Sequence, residues 1–345
     1  MNQAPSDFRS DTVTRPTAAM RRAMAEAEVG DDVYREDPTV RLLEETTAEL
    51  LGMPAALFVP SGTMGNQISL RVHARSGTEV ILEAKSHIFH YEMGGMASLS
   101  GLLPRPVAGD RGRMARPAVA EWIRPEGVDY FPHTSVIAME NTHNVAGGAV
   151  IPRVAIDEIL ALARERNLRV HLDGARLWNA AAALSVSEAS LARGVDSVMV
   201  CFSKGLRAPV GSAVAGSLEF IAEARKVRKL FGGGMRQVGV IASAALVAVR
   251  DERSRLIEDH VRARRLAEAL AEIPGIVLSP ATVETNIVVF QVATTSAVFV
   301  KELAARGILC GAAGADAVRF VTHADVDDAD VDRAIAAVRG LSATE

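Results

Sequence analysis

The middle of the chain alternates strand-like and helical segments, and this alternation restricts the fold more than any other feature. Apolar runs at residues 136–140, 169–173 and 197–202 are separated by helical patterns at residues 152–166 and 176–184. Such alternation is typical of βαβ units, which build a mostly parallel sheet between layers of helices. Because ligands bind such sheets at the carboxyl ends of the strands, the residues that follow each strand are the first candidates for function.

Patterns on both sides of this region extend the α/β architecture. A strand pattern at residues 55–59 precedes it, and a helix at 218–230 and a long helical stretch at 238–273 follow it. The remaining residues carry strand patterns at 286–292 and 317–323 among helical segments. We predict an N-terminal arm (residues 1–25), a large domain (26–245) and a smaller C-terminal α+β domain (246–345).

Composition excludes several classes of protein. The 345 residues are 49% hydrophobic and 23% charged, as in ordinary globular enzymes, and the net charge of −4 gives no electrostatic reason to bind nucleic acid. The longest uncharged apolar run, residues 238–249, is too short to cross a bilayer, so no membrane partner is expected. Cys201 and Cys310 lie in apolar surroundings, which favours free thiols in a reducing compartment, and we predict a cytoplasmic protein.

Lys204 directly follows the third of these central strands. Gly205, Pro209 and Gly211 prevent the chain after it from forming a helix or a long strand, so Lys204 lies at a strand–loop junction. An isolated lysine is usually a solvated surface charge. At such a junction, among apolar and small residues, it is also a candidate amine nucleophile that forms a Schiff base. The choice between the two depends on what the rest of the chain supplies.

Two further groups stand where strands end. Asp173 ends the strand that precedes the lysine strand. An aspartate before a glycine is often a turn residue, but near a reactive lysine it becomes a candidate functional carboxylate. The turn Ser61-Gly62-Thr63 lies between a strand and a helix, where backbone N–H groups and two hydroxyls suit a phosphate. Such turns are common without a ligand, so this turn alone indicates little.

Together these groups match the needs of pyridoxal 5'-phosphate. That cofactor requires a lysine for the Schiff base, a carboxylate that keeps the pyridine nitrogen protonated, a phosphate cradle and a flat side chain against the ring. Lys204, Asp173 and the turn at Gly62 and Thr63 supply the first three. His87, in a segment that is rich in histidine and aromatic residues, supplies the last.

Three arginines are candidates for holding anions. Arg176, Arg236 and Arg319 each lie among small or apolar residues, where a solvated guanidinium is less natural than one that grips a carboxylate or phosphate. The alternative for Arg319 is an ion pair on the solvated face of its strand.

Seven motifs carry a resemblance to a known family. They are RSDTVTRP, GDDVYREDPT, PSGTMGN, ENTHN, HLDGARLWNA, SKGLRAPVGS and GGGMRQ, in this order along the chain. Their combination resembles the PLP-dependent low-specificity L-threonine aldolases of the aspartate-aminotransferase fold (fold type I). The match runs from Phe8 to Asp259 and resumes at residues 318–323.

The resemblance implies a fold, an activity and an assembly. The implied fold has a large domain with a mostly parallel central sheet and a smaller C-terminal α+β domain. The implied reaction is retro-aldol cleavage of L-3-hydroxy-α-amino acids, such as L-threonine or L-allo-threonine, to glycine and an aldehyde. A β-eliminating lyase or an aminotransferase on the same fold is the alternative. The implied assembly is a homotetramer built from dimers whose active sites share residues, and it acts on a small amino acid.

Carried over position by position, the resemblance also assigns roles to residues. The catalytic group is Lys204, His87 and Asp173. The cofactor contacts are Ser61, Gly62, Thr63, His87, Asp173, Arg176, Lys204 and Arg236, with Arg236 reaching in from a neighbouring subunit. The substrate contacts are Ser10, Tyr34, Glu92, Tyr130, Arg176 and Arg319, and no metal is implied. Ser10, Arg176 and Arg319 would hold the substrate carboxylate, whereas Tyr34 and Glu92 would lie near the mouth of the site.

The sequence departs from the family pattern at two positions. Tyr130 stands where bacterial members carry a second histidine near the substrate hydroxyl, with His133 three residues on. His87, directly or through water, is therefore our first choice for the base. Arg207 occupies a position in the lysine loop that is usually small.

Overall fold

The computed structural model describes residues 4–125 and 127–342. The strands are β1 (Ser6–Asp7), β2 (Ala55–Val59), β3 (Glu79–Glu83), β4 (Leu103–Val107), β5 (Thr134–Glu140), β6 (Arg169–Gly174), β7 (Ser197–Cys201), β8 (Ser212–Gly216), β9 (Ile276–Val277), β10 (Ile287–Val292), β11 (Ile308–Leu309), β12 (Gly311–Ala312) and β13 (Ala317–Val321). The α-helices are α1 (Ala18–Glu26), α2 (Pro38–Leu51), α3 (Gly62–His73), α4 (His87–His90), α5 (Gly95–Ser100), α6 (Arg116–Trp122), α7 (Arg153–Glu165), α8 (Leu177–Leu184), α9 (Glu188–Ala192), α10 (Leu218–Leu230), α11 (Gly239–Val247), α12 (Leu256–Ala271), α13 (Ser296–Ala305) and α14 (Asp328–Ser342). No helix in these ranges is long and apolar enough to span a membrane.

A seven-stranded sheet forms the centre of the large unit. Its strand order is β2-β8-β7-β6-β5-β3-β4. β8 is antiparallel to both of its neighbours, and the pairs from β7 to β4 are all parallel. The expectation of a mostly parallel sheet is therefore confirmed. Strands β3, β7 and β8 are buried along their whole length because helices cover both faces of such a sheet.

The C-terminal part has a sheet and a core of its own. Strands β12, β13, β10 and β9 form a four-stranded antiparallel sheet. Its apolar cluster joins α12, α13 and α14 to this sheet, whereas a separate cluster of the large unit includes residues as late as Leu256. The smaller C-terminal α+β unit is present, as expected. The domain limits at residues 25 and 245 stay predictions.

The N-terminal arm packs on its own chain. β1 pairs with β11, and the backbone N–H of Val321 donates to the carbonyl of Phe8 at 2.8 Å. The Phe8 ring stacks on Phe320, with centroids 5.2 Å apart. The arm is thus anchored on the small unit before it reaches the edge of the large sheet.

One local prediction was wrong. The stretch at 238–273 is not one helix, because a π-helical turn (Ala248–Glu252) and a further turn separate α11 from α12. The start of α2 is capped by Asp37. Asp37 accepts the Val40 N–H at 3.0 Å and Pro38 takes the first helical position, where its missing N–H costs nothing.

Candidate active site

The carboxyl ends of β5, β6 and β7 lie side by side at one edge of the large sheet. In this register Glu140 lies opposite Asp173, and Asp173 lies opposite Met199. Lys204 follows β7 in the loop to β8 and is half-buried. The strand-end residues that the sequence singled out therefore converge on one edge.

Asp173 is a buried carboxylate held by neutral donors. Its exposed fraction is 1%. Asn66 Nδ2 donates to Oδ2 at 2.9 Å, and the backbone N–H of Ala175 donates to Oδ1 at 3.1 Å. No arginine, lysine or histidine of residues 4–125 and 127–342 lies within ion-pair distance of it. A buried carboxylate without a cation is costly, which marks this position as one that expects a positive partner.

His87 begins the short helix α4 and pairs with a buried carboxylate. Its Nδ1 lies 3.0 Å from Glu92 Oε1. Burial lowers the pKa of His87, but the hydrogen bond to Glu92 and the negative charges nearby outweigh burial, so its pKa lies above the ordinary value. Because Glu92 occupies Nδ1, the neutral ring presents the lone pair of Nε2. Nε2 has no hydrogen-bond partner among the described residues.

Glu92 lies beneath His87 rather than at the mouth of the site, which corrects the expected location. It is 3% exposed. Gln67 Nε2 donates to Oε2 at 2.6 Å, and Asn66 Nδ2 donates to Oε1 at 2.8 Å. Ligand atoms of His87, Glu92 and Asp173 all lie within 4.8 Å of one another. Since an amide N–H₂ already fills the space between the two carboxylates, this cluster is built for hydrogen bonding.

Glu140 ties two parts of the site together. The backbone N–H of His87 donates to Oε2 at 2.6 Å, and the backbone N–H of Asn144 donates to Oε1 at 2.8 Å. Burial raises the pKa of Glu140 above its ordinary value. One buried carboxylate thus fixes both the start of α4 and the loop after β5.

The turn at Ser61 forms the N-terminus of α3, as the sequence predicted. Ser61 is the N-cap, and its hydroxyl accepts the Met64 N–H at 3.2 Å. The N–H groups of Gly62 and Thr63 have no acceptor within the helix and point outward. A Cβ built on Gly62 would lie 2.8 Å from Cys201 Sγ, so glycine lets the helix start approach β7.

Arg176 is committed to a carboxylate of its own chain. Its Nε and Nη2 donate to Asp11 at 2.8 and 2.7 Å, and both side chains are buried. Burial raises the pKa of Asp11, but Arg176 outweighs burial and holds that pKa well below its usual range. Only Nη1 of Arg176 remains for a substrate carboxylate. The sequence did not indicate Asp11 as the counter-ion.

Arg319 has a different environment, because no carboxylate lies within ion-pair distance of it in the described parts of the chain. Its Nη1 donates to Asn144 Oδ1 at 3.2 Å, and its Nη2 donates to the Arg9 carbonyl at 3.1 Å. Arg176 Nη1 donates to the same Asn144 oxygen at 3.3 Å. Burial, followed by the charge of Arg176, lowers the pKa of Arg319. The solvated ion pair weighed for Arg319 is thus not found, and two guanidiniums converge on one neutral oxygen.

Ser10 and Thr14 connect the arm to this edge. Ser10 caps the turn that contains Asp11 by accepting the Thr12 N–H at 3.2 Å. Thr14 donates through its hydroxyl to the Lys204 carbonyl at 3.0 Å. Ser10 therefore lies next to the buried Asp11–Arg176 pair, and its role in carboxylate binding stays a prediction.

Three predicted residues are not brought to this edge by the single chain. Tyr34 is 71% exposed, and Arg236 is exposed and pairs with Asp31 at 2.9 Å. Tyr130 is 82% exposed and lies before the amino end of β5, where the carbonyl of His133 accepts the N–H of Glu79 at 2.8 Å. Both Tyr130 and His133 thus stand at the amino edge of the sheet, opposite the lysine. Any substrate contact from Tyr34, Arg236 or Tyr130 would need a second copy of the chain.

Comparison with known proteins agrees with this geometry. A beta-eliminating lyase family model matches residues 7–293. The chain is 45% identical over 332 residues to low-specificity L-threonine aldolase 1 of Arabidopsis thaliana, covering 94% of this chain and 93% of the relative. It is 41% identical over 322 residues to the low specificity L-threonine aldolase of Escherichia coli K12, covering 93% and 94%. The chain belongs to the low-specificity L-threonine aldolases.

Solved structures show the same fold for this threonine aldolase family member. A putative L-allo-threonine aldolase from Listeria monocytogenes superposes with a TM-score of 0.82 at 22% identity, over 98% of this chain and 96% of that one. A putative aromatic amino acid beta-eliminating lyase/threonine aldolase from Exiguobacterium gives 0.81 at 22% identity, over 98% and 97%. The expected fold type I architecture is confirmed.

Several residues of the site were not assigned from the sequence. Asn66, Glu140 and Asn144 organise the groups around Asp173, His87 and the two arginines. Glu140 and Asn144 lie in the ENTHN motif at the carboxyl end of a predicted strand. Their position therefore suggested that they lie near the site, but it assigned them no role. The sequence signal for Asn66 was weaker: it is a polar residue within a helix that packs against the sheet.

Proposed function

We propose that this chain binds pyridoxal phosphate and cleaves L-3-hydroxy-α-amino acids, threonine or allo-threonine among them, to glycine and an aldehyde. The observation that carries the proposal is the meeting of Lys204 with Asp173, a buried carboxylate without a cation, at one sheet edge. The base His87 and the converging arginines Arg176 and Arg319 lie around them. These groups serve one small substrate that has an amine, a carboxylate and a hydroxyl.

The residues present fit pyridoxal phosphate. The pyridine nitrogen would find its partner in Asp173, which is fixed by two neutral donors and lacks a counter-charge. The phosphate would meet the outward N–H groups of Gly62 and Thr63 and the hydroxyl of Ser61, at the positive end of α3. Lys204 would hold the aldehyde carbon and His87 would lie against the ring. When bound, the cofactor supplies an electron sink for the pair released from the Cα–Cβ bond.

The arginines select substrates that carry a carboxylate. Arg319 keeps a half-buried guanidinium without a counter-ion, and the free end of Arg176 faces the same oxygen. A carboxylate that replaces the Asn144 oxygen between them exchanges two bonds to a neutral acceptor for two ion-pair hydrogen bonds, which are stronger. Asp11 keeps Arg176 in place and neutralises its charge, so the site needs one anion, not two.

His87 is the proposed base for the hydroxyl proton. With Nδ1 held by Glu92, the proton from the substrate hydroxyl goes to Nε2, and the imidazolium is stabilised by the buried carboxylate. One proton from solvent, added to Cα, then completes glycine, and release of the hydroxyl proton from Nε2 to solvent restores the base. Lys204 anchors the reactants and need not move a proton at Cα.

The assembly and compartment form part of the proposal. Tyr34 and Arg236 complete the site of a second copy in a homodimer, and dimers pair into a tetramer. The two buried free cysteines fit a reducing compartment, and we propose the cytoplasm.

Product analysis tests the activity. Purified protein with pyridoxal phosphate and L-threonine should release glycine and acetaldehyde in equal amounts, and the Lys204→Ala variant should release neither. Formation of 2-oxobutanoate, or amino transfer that depends on a 2-oxo acid, would instead establish the β-eliminating lyase or aminotransferase alternative. Threonine, allo-threonine and phenylserine compared side by side would define the preferred side chain.

A further inference from the structure

A line of hydrogen-bonded polar side chains runs from Asp173 through the large unit, from three buried residues to a half-buried histidine. It consists of Asn66, His171, Ser197 and His73. Asn66 is 1% exposed, and His171 and Ser197 are fully buried. Asn66 Oδ1 lies 3.0 Å from His171 Nε2, His171 Nδ1 lies 2.8 Å from Ser197 Oγ, and Ser197 Oγ lies 2.8 Å from His73 Nε2. Three fully buried polar side chains in one line, with half-buried His73 at its end, serve to position one another.

The donors in this line have one consistent direction. Asn66 must present its N–H₂ to Asp173 and Glu92, because carboxylates only accept. Its carbonyl oxygen then faces His171, so His171 Nε2 carries the proton and Nδ1 accepts. Ser197 accordingly donates to His171 and accepts from His73. Every donor in the line points toward the two carboxylates.

The two histidines have the charge state that this direction needs. Burial lowers the pKa of His171 to about 3 and the pKa of His73 to about 4. Both rings are therefore neutral near pH 7, and each offers one donor and one acceptor.

Asn66 also separates two negative groups. Its Nδ2 lies 2.9 Å from Asp173 and 2.8 Å from Glu92. Without this donor the two buried carboxylates would face each other directly, and like charges at such distance repel strongly. If Asn66 rotated by half a turn about its amide, its oxygen would add to the repulsion.

We propose that Asn66 is a positioning residue that holds Asp173 and Glu92 in their working orientations, and that His171, Ser197 and His73 lock its amide in the required direction. The inference rests on the proposed function, because Asp173 is the residue that would face the pyridine nitrogen and Glu92 the one that orients the base. It adds that a serine at the amino end of β7, far from the substrate, controls the cofactor side of the site.

The Ser197→Ala variant tests this lock. It removes the one hydroxyl that fixes the His171 ring, so His171 and Asn66 gain an alternative orientation. Loss of the hydrogen bonds of this hydroxyl to His171 and His73 should weaken pyridoxal phosphate binding by about tenfold and lower kcat more than it raises KM. Ser69→Ala is the matched control, since Ser69 is equally buried but donates to the Gly65 carbonyl outside the line. Ser197→Thr keeps the hydroxyl and should restore binding.

Histidine ¹⁵N NMR of the protein without added cofactor gives an independent result. The His171 signals, assigned with a His171→Gln variant, should show a protonated Nε2 and a bare Nδ1 in the wild type, and lose this preference in Ser197→Ala. A proton on Nδ1 in the wild type, or equal cofactor affinity of Ser197→Ala and Ser69→Ala, would overturn the proposal. A wild type that binds no pyridoxal phosphate would overturn the proposed function instead, and the NMR result would still decide for or against the locked line.

Discussion

Asn144 is the residue on which the two guanidiniums of the site converge. Its side-chain oxygen accepts from Arg176 and Arg319 at 3.3 and 3.2 Å. A neutral amide is a weak acceptor for two cations, so a substrate carboxylate can take its place at a net gain. The side chain at position 144 therefore decides how easily a substrate carboxylate binds between the two arginines.

The Asn144→Asp variant should close that site. A carboxylate at this position would pair with both arginines permanently, so KM for L-threonine should rise by at least about tenfold while pyridoxal phosphate stays bound. Steady-state kinetics with L-threonine and the visible absorption of the purified protein measure the two effects. Asn144→Ala is the control, since it removes the amide without adding a charge and should raise KM much less. A wild-type KM in Asn144→Asp would mean that the substrate carboxylate binds elsewhere.

His87 and Glu92 set the pH range in which the base works. Because the pKa of His87 is raised, Nε2 is free only above that higher pKa, and activity should fall as pH drops through it. Glu92→Gln removes the charge that stabilises the imidazolium, so the pKa of His87 falls and the acid limb of the pH profile of kcat/KM moves to lower pH.

Glu83→Gln is the matched control for that shift. Glu83 also accepts from a buried histidine, His143, at 2.9 Å, but that ring is not the proposed base. Its replacement should leave the acid limb where it is. An acid limb that moves to higher pH in Glu92→Gln, or does not move, would show that His87 is not the group that titrates.

At the scale of elements, the loop that carries Lys204 is braced by the arm and the small unit. Arg207, where the family usually has a small residue, turns away from the substrate side. Its Nη2 donates to Asp325 at 2.8 Å and its Nε donates to the Arg15 carbonyl at 3.2 Å. Its φ of 68° is a left-handed conformation that favours glycine. Arg207 thus accepts an unfavourable backbone conformation and in return links the lysine loop to the N-terminal arm and to the small unit.

Two substitutions at Arg207 separate those effects. Arg207→Ala loses the ion pair and keeps the unfavourable φ, whereas Arg207→Gly loses the ion pair but relaxes the backbone. A partly exposed pair contributes about 0–1 kcal/mol and a left-handed non-glycine residue costs about 1 kcal/mol. Arg207→Gly should therefore be near wild type in stability, and Arg207→Ala should be less stable than Arg207→Gly by about 1 kcal/mol. Thermal unfolding midpoints give the ranking, and Asp325→Asn isolates the pair. Greater stability of the alanine variant would refute the strain argument.

Elements with strong local patterns were predictable from the sequence. The predicted elements at residues 55–59 and 218–230 coincide with β2 and α10. A short apolar run before turn residues predicts the strand, and a periodic apolar face predicts the helix, and both signals are local. The break between α11 and α12 was missed, since the apolar periodicity continues across it. The rule that ligands bind at the carboxyl ends of parallel strands correctly predicted that Asp173 and Lys204 lie at the same edge of the sheet. The Asp11–Arg176 pair, 165 residues apart in sequence, has no periodic signal and was visible only in the structure.

At the scale of the whole molecule, the predicted site residues Tyr34 and Arg236 lie on one exposed surface. The backbone N–H of Asp32 donates to the Arg236 carbonyl at 3.2 Å, and Arg236 Nη1 donates to Asp31 at 2.9 Å. The loop that carries Tyr34 is thereby joined to the glycine run that carries Arg236. If dimers share their sites, this joined patch is the part of one copy that reaches the cofactor of the other.

Mixing two inactive variants tests whether sites are shared. Lys204→Ala lacks the anchor and Arg236→Ala lacks the proposed phosphate contact, so each alone should have little activity. In a hybrid dimer, the site that uses Lys204 of the second variant receives Arg236 from the first and is intact, whereas the other site lacks both. Random exchange in an equal mixture makes half of the dimers hybrids with one working site of two, so activity should recover to roughly a quarter of wild type. Measured after reversible dissociation, no recovery would place Arg236 in the site of its own chain, because every site would then lack one of the two residues.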